Sequence, residues 1–126
     1  MMEYSNRLAR VWYAANADNW DMAKYQVGQM TEIQAVGETT RPNRAPLLKA
    51  FGDGFLTPLD KAIDTKDITV FKAAFDKTIT GCNACHSASK AADWSSFAFV
   101  EVQQPKTDPA SFVQWKTPGG TGNYKP

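Results

Sequence analysis

The sequence predicts an all-α protein, an antiparallel four-helix bundle followed by an extended C-terminal arm. Apolar residues recur at three- and four-residue spacing through roughly the first ninety positions, the period of a helix with one inward face. The recurring segments are separated by short polar or proline-bearing breaks, and short connections favour antiparallel neighbours. Beyond Ser89 the pattern turns to alternation, and Pro105, Pro109 and Pro118 exclude a long regular helix.

In the first predicted helix Tyr4, Leu8, Val11, Trp12 and Ala15 fall on one stripe, and Asn16-Ala17-Asp18-Asn19 supplies a break and a cap. A second helix is expected from Asn19 to Val36, with Trp20, Ala23, Val27, Met30 and Gln34 inward and Gly37 as its stop. Arg41-Pro42-Asn43-Arg44 reads as a loop, and Pro46 suits the first turn of the next helix. That third helix presents Leu47, Leu48, Phe51, Phe55, Leu59, Ala62 and Ile63, while Gly52, Gly54 and Pro58 in its interior predict a weak point or kink. Asp64 to Asp67 forms a tight connection with Asp67 as N-cap. The fourth helix then carries Ile68, Phe71, Phe75, Ile79, Cys82 and His86 on its inner side. In the arm, Phe97, Phe99 and Glu101 alternate with Ala98, Val100 and Val102, and Phe112 and Trp115 offer apolar anchors. Residues 1–116 are read as one domain with its arm, and residues 117–126, glycine-rich, as a flexible tail.

A chain of 126 residues that is 43% hydrophobic is long enough to bury a real core. Its net charge of +1 gives no basis for a nucleic-acid partner or for strong attraction to a membrane surface. No apolar run is long enough to span a bilayer, so no transmembrane segment is expected.

Chemistry is concentrated in Cys82-Asn83-Ala84-Cys85-His86, a C-x-x-C-H pentapeptide that consumes both cysteines and the sole histidine of the chain. This is the shortest sequence that can hold a haem covalently and ligate its iron. Each thiol can add to a haem vinyl group as a thioether, and two intervening residues set the sulfurs about one helical turn apart, matching the vinyl spacing. His86, directly after the second cysteine, then aims an imidazole nitrogen at the iron as proximal ligand. Two other readings compete. A dithiol redox centre uses the same thiols but belongs at the start of a helix after a strand, and here a long helical pattern precedes Cys82. A zinc site asks for four ligands, and the chain has only three of the favoured type, crowded into five residues. One covalent haem c is therefore expected. In bacteria such attachment takes place outside the cytoplasm, so a periplasmic location is expected. Met1-Met2-Glu3-Tyr4-Ser5 lacks the basic and apolar regions of a secretory signal, which is read as a leader already removed.

The opposite face of the iron decides the function. In an antiparallel bundle the end of the last helix lies level with the start of the first, the end of the second and the start of the third, and the haem is expected near that end. Met30 is the candidate distal ligand, pointing inward and nearer the right end than Met22, with ordinary core filling as the competing role. Met1 and Met2 are level with the site but belong to the terminus; Tyr4 is a candidate for packing or for donating to a bound ligand. A thioether opposite His86 favours a low-spin electron carrier exchanging electrons with redox partner proteins, whereas an open face favours binding or sensing a diatomic gas such as NO or CO. Electron transfer is preferred, since two thioethers suit a permanently held redox centre. No acid–base pair stands beside the motif and the one histidine is already used, so an enzyme is not expected. Trp12, Tyr13, Trp20, Phe71 and Phe75 are read as core before haem lining. Arg41, Arg44, Lys49 and Lys90 are read as solvated charges before propionate partners. The arm is read as packing on the bundle before serving as a strap over a haem edge.

Four helices with C-x-x-C-H on the last of them resemble the class II cytochromes c, the cytochrome c-prime group, over roughly residues 4–90. Leu8-Ala9-Arg10-Val11-Trp12-Tyr13-Ala14, then Asn19-Trp20, then Cys82-Asn83-Ala84-Cys85-His86 with a proline-containing tail look like a group of small proteobacterial haem c proteins, and this second match spans most of the chain. The resemblance implies a haem c bundle held by Cys82, Cys85 and His86, and a homodimer through the first two helices. In the class II group the motif lies close to the C-terminus; here Ser87 to Pro126 follow it, so the distal pocket of that group is not carried over.

Overall fold

The computed structural model describes residues 2–91 and residue 102, and every regular element among them is helical. The extended pattern expected over 97–102, apart from Val102 itself, the anchors Phe112 and Trp115, and the tail 117–126 lie outside the described residues. The chain divides into two compact units, residues 1–78 and 79–126.

Helix α1 spans Met2–Asn16 and α2 spans Trp20–Thr40. Between them Asp18 takes φ of 59° to turn the chain, and its carboxylate accepts from the Trp20 indole N–H at 2.6 Å. Asn19 caps α2, its side-chain oxygen accepting from the Met22 N–H at 3.1 Å, one of the donors a helix start leaves unpaired. The stripe expected on α2 is buried as read: Trp20, Ala23, Val27, Met30 and Gln34. Gly37, however, does not stop the helix, which runs on to Thr40 just ahead of Pro42. A Cβ at Gly37 would come within 3.2 Å of Leu48 Cδ1, so this glycine allows close approach of the next helix.

One 3₁₀ turn, Pro42–Arg44, leads into α3 (Ala45–Phe51), a π-turn (Gly52–Leu56) and α4 (Thr57–Asp64). The weak point expected from Gly52, Gly54 and Pro58 is this π-turn, in which the Thr57 N–H reaches back five residues to the Gly52 carbonyl. The wider turn has a packing consequence: Leu56 is buried where the sequence pattern points to Phe55, which is half-buried. Asp67 caps α5 (Ile68–Ala91), accepting from Thr69 N–H at 2.8 Å and Val70 N–H at 3.2 Å, as expected.

Within the first unit, α1 and α2 run antiparallel, the Tyr4 hydroxyl donating to Gln34 Oε1 at 2.9 Å and Arg7 to Gln26 Oε1 at 3.0 Å. Tyr4 is thus committed to a helix–helix bond. Gln34 in turn donates from Nε2 to the Leu48 carbonyl, so one buried amide ties three helical segments together. On the outside Lys24 bridges Asp60 at 2.7 Å and Asp64 at 2.8 Å. Hydrogen bonds to these carboxylates, Asp60 foremost, raise the Lys24 pKa. At 41% side-chain exposure the bridge contributes less than about 1 kcal/mol. Inside, Trp12 and Trp20 meet Phe71 and Phe75 in an aromatic cluster. Of the five aromatics read as core before haem lining, Trp20, Phe71 and Phe75 are buried in this unit, while Trp12 and Tyr13 are half-buried.

Two glycine substitutions separate backbone cost from packing. Nothing lies within 4 Å of a Cβ added at Gly28 on α2, so Gly28→Ala should stabilise by about 0.5–1 kcal/mol. At Gly52 the same methyl would collide with Gln34 Nε2 and displace the amide that links the helices. Gly52→Ala should therefore destabilise by about 1–3 kcal/mol. Denaturant titration of both variants checks the opposite signs.

Candidate functional site

Cys82, Cys85 and His86 stand on the second half of α5, in the second unit. A helix turns about 100° and rises about 1.5 Å per residue, which sets Cys85 roughly 60° to one side of Cys82 and His86 roughly 40° to the other. All three therefore occupy one face within about 6 Å along the axis. The helix exists here because apolar residues recur ahead of it and Asp67 caps its start, and no proline interrupts it before Ala91.

Burial is graded across the face. Cys82 is 8% exposed and His86 7%, Cys85 is half-buried, and Ala84 on the reverse side is exposed. The two cysteines are thiols, unlinked by a disulfide. Burial pushes the Cys82 thiol up to about 12, and charge on Cys85 adds to the penalty. At neutral pH Cys82 is thus a thiol, whereas the attacking cysteine of a disulfide-exchange centre needs a depressed pKa. Among the described residues, no three His, Cys, Asp or Glu side chains are gathered to hold a bare ion. Iron carried in a porphyrin asks the chain only for axial ligands, and bonds the two sulfurs not at all. The donor set therefore fits a covalent haem c: two thiols one turn apart for carbon–sulfur bonds, and an imidazole on the same face for the metal.

No family model matches this chain, and neither do curated proteins or solved structures.

Met30 is fully buried in α2 of the first unit, and Met22 is 44% exposed on the same helix. Met30 lies on the buried stripe of α2 with Trp20, Ala23 and Val27. Two site features escape a sequence pattern. Thr78, one turn before Cys82, is fully buried, its hydroxyl donating to the Ala74 carbonyl at 2.9 Å, which is how a polar side chain is satisfied inside. Asn83, between the two cysteines, donates from Nδ2 to the Val102 carbonyl at 2.9 Å and accepts from the Val102 N–H at 2.8 Å. Nothing in the motif demands asparagine there, and its partner is a backbone nineteen residues away. No helix among the described residues is long and apolar enough to cross a membrane.

Proposed function

We propose that this protein is a monohaem c-type cytochrome that carries electrons in the bacterial periplasm, exchanging them with redox partner proteins. The observation that carries this is Cys82-Asn83-Ala84-Cys85-His86 on one continuous helix, with both thiols and the imidazole on a single face. Bound haem c supplies a one-electron Fe(III)/Fe(II) couple. The chain's part is attachment, ligation and exclusion of water. Cys82 and Cys85 would hold the group, each thiol adding across a vinyl double bond with sulfur to one carbon and hydrogen to the other. His86 would supply an imidazole nitrogen as proximal ligand, its ring buried at 7% exposure. Burial of the imidazole keeps the proximal side dry, one of the levers that set a reduction potential. Periplasmic location belongs to the same proposal, because attachment of this kind takes place outside the cytoplasm.

The deciding measurement is the visible spectrum of protein made in a host that attaches haem c, oxidised, reduced, and reduced with CO. A low-spin spectrum unmoved by CO supports a closed six-coordinate carrier. A high-spin spectrum that shifts with CO replaces electron transfer by gas binding, and a colourless product removes the haem assignment. Met30 remains the proposed sixth ligand, and Met30→Leu is the informative variant because it keeps core volume while deleting the thioether. With Met30 on the iron, Met30→Leu loses the methionine charge-transfer band and binds CO in the ferrous state. Unchanged spectra would strike Met30 from the ligand set.

A further inference from the structure

Asn83 occupies the first of the two variable positions of C-x-x-C-H, and its side chain is engaged at both ends. Nδ2 donates to the Val102 carbonyl at 2.9 Å and Oδ1 accepts from the Val102 N–H at 2.8 Å. A primary amide has a donor and an acceptor side by side, so it can pair with both backbone groups of one residue as a neighbouring strand would. Ala91, the last residue of α5, lies about 12 Å further along the helix axis than Asn83. The two bonds therefore hold Val102 level with the cysteines and not with the helix end. On the helix Asn83 is about 60° round from His86 and about 160° from Cys85, so the clasp lies on the imidazole flank of the motif. Asn83 and Val102 are both half-buried.

Resting on the haem c reading above, we infer that Asn83 is a positioning residue: it clasps the Val102 backbone against the His86 side of the motif and so limits water on the proximal flank of the iron. Partners that orient a ligating histidine or exclude solvent around it tune the metal without touching it. Deleting them lets water approach, which favours the ferric, more highly charged state and lowers the reduction potential.

The test uses the full-length protein with haem attached, the parent beside Asn83→Ala, with Ser87→Ala on the exposed face as a control. Haem content is measured first. Amide hydrogen exchange at Val102 then reports the clasp, and reductive titration reports the iron. In the parent the Val102 amide exchanges slowly. In Asn83→Ala two hydrogen bonds are lost, exchange at Val102 quickens on the order of tenfold, and the reduction potential falls below that of both parent and Ser87→Ala. Faster exchange with an unchanged potential overturns the positioning role and leaves a structural tie only. A parent whose Val102 amide exchanges at the rate of an open chain overturns the clasp itself, whether or not the variant folds. A parent that takes up no haem overturns the inference together with the function it rests on, and the haem measurement tells that failure from the others.

Discussion

The double variant Cys82→Ala/Cys85→Ala, made in a host that attaches haem c, carries no covalent haem. A thioether needs a sulfur to bond each vinyl carbon, and the chain holds two cysteines in all, so removing both removes every attachment point. Cys82→Ala and Cys85→Ala singly leave at most one thioether, with haem that denaturation releases more readily. The measurement is haem retained after acid–organic extraction, alongside the mass of the intact chain. The parent should retain all of its haem, each single variant a lesser amount, and the double variant none. A double variant that holds haem as firmly as the parent would overturn the motif assignment. If instead the parent carries no haem under conditions that load other C-x-x-C-H proteins, the competing dithiol reading returns. That reading would have to accommodate a Cys82 thiol pushed up to about 12 by burial, the opposite of what a nucleophilic cysteine requires.

Much of the helical framework was legible because its determinants are local. Asn19 and Asp67 sit where caps were expected and accept the backbone donors that caps accept. The stripe on α2 is buried residue for residue, since a 3.6-residue period leaves little choice of inward face once Trp20 and Val27 are placed. The departures come from tertiary contacts that composition does not encode. Gly37 reads as a helix stop by its intrinsic preference, yet Leu48 needs the space its missing Cβ leaves, and the helix continues. Gly52, Gly54 and Pro58 mark a weak point, but only the backbone reveals that it is resolved as a π-turn, which puts Leu56 inside.

The site divides the same way. Cys82, Cys85 and His86 were recognisable because spacing alone sets them on one face of a helix. Asn83 was not, because its importance lies in a partner distant in sequence and made of backbone, which no side-chain motif can announce. Thr78 was passed over because a hydroxyl at an inward position looks like a flaw until its bond to the Ala74 carbonyl is seen. Tyr4 reads as a distal donor from its level in the bundle, yet its hydroxyl donates to Gln34, a bond that depends on how α1 and α2 pack.

Phe71→Ala is expected to be the most destabilising single change in the first unit. Phe71 is fully buried, and its ring centroid lies 6.1 Å from Trp12, 6.0 Å from Trp20 and 5.6 Å from Phe75. It is the one ring of the cluster that meets the other three. Truncation to alanine loses the transfer free energy of the ring and leaves a cavity among neighbours too stiff to fill it, together costing about 3–5 kcal/mol. Tryptophan rings pinned by other contacts relax poorly: Trp20 is held by its indole bond to Asp18, and Trp12 is covered by the Lys72 ammonium at 5.8 Å. Against a total of about 5–15 kcal/mol for a domain of this size, the loss is a large part of the stability. Phe71→Leu, which keeps most of the volume, should cost about 1–1.5 kcal/mol. Denaturant unfolding of the three proteins checks this, with the midpoint falling in the order parent, Phe71→Leu, Phe71→Ala and the slope unchanged. An alanine variant within about 1 kcal/mol of the parent would mean that the cluster does not hold the unit together. Phe71 thus anchors the first turn of α5 to the tryptophans of α1 and α2.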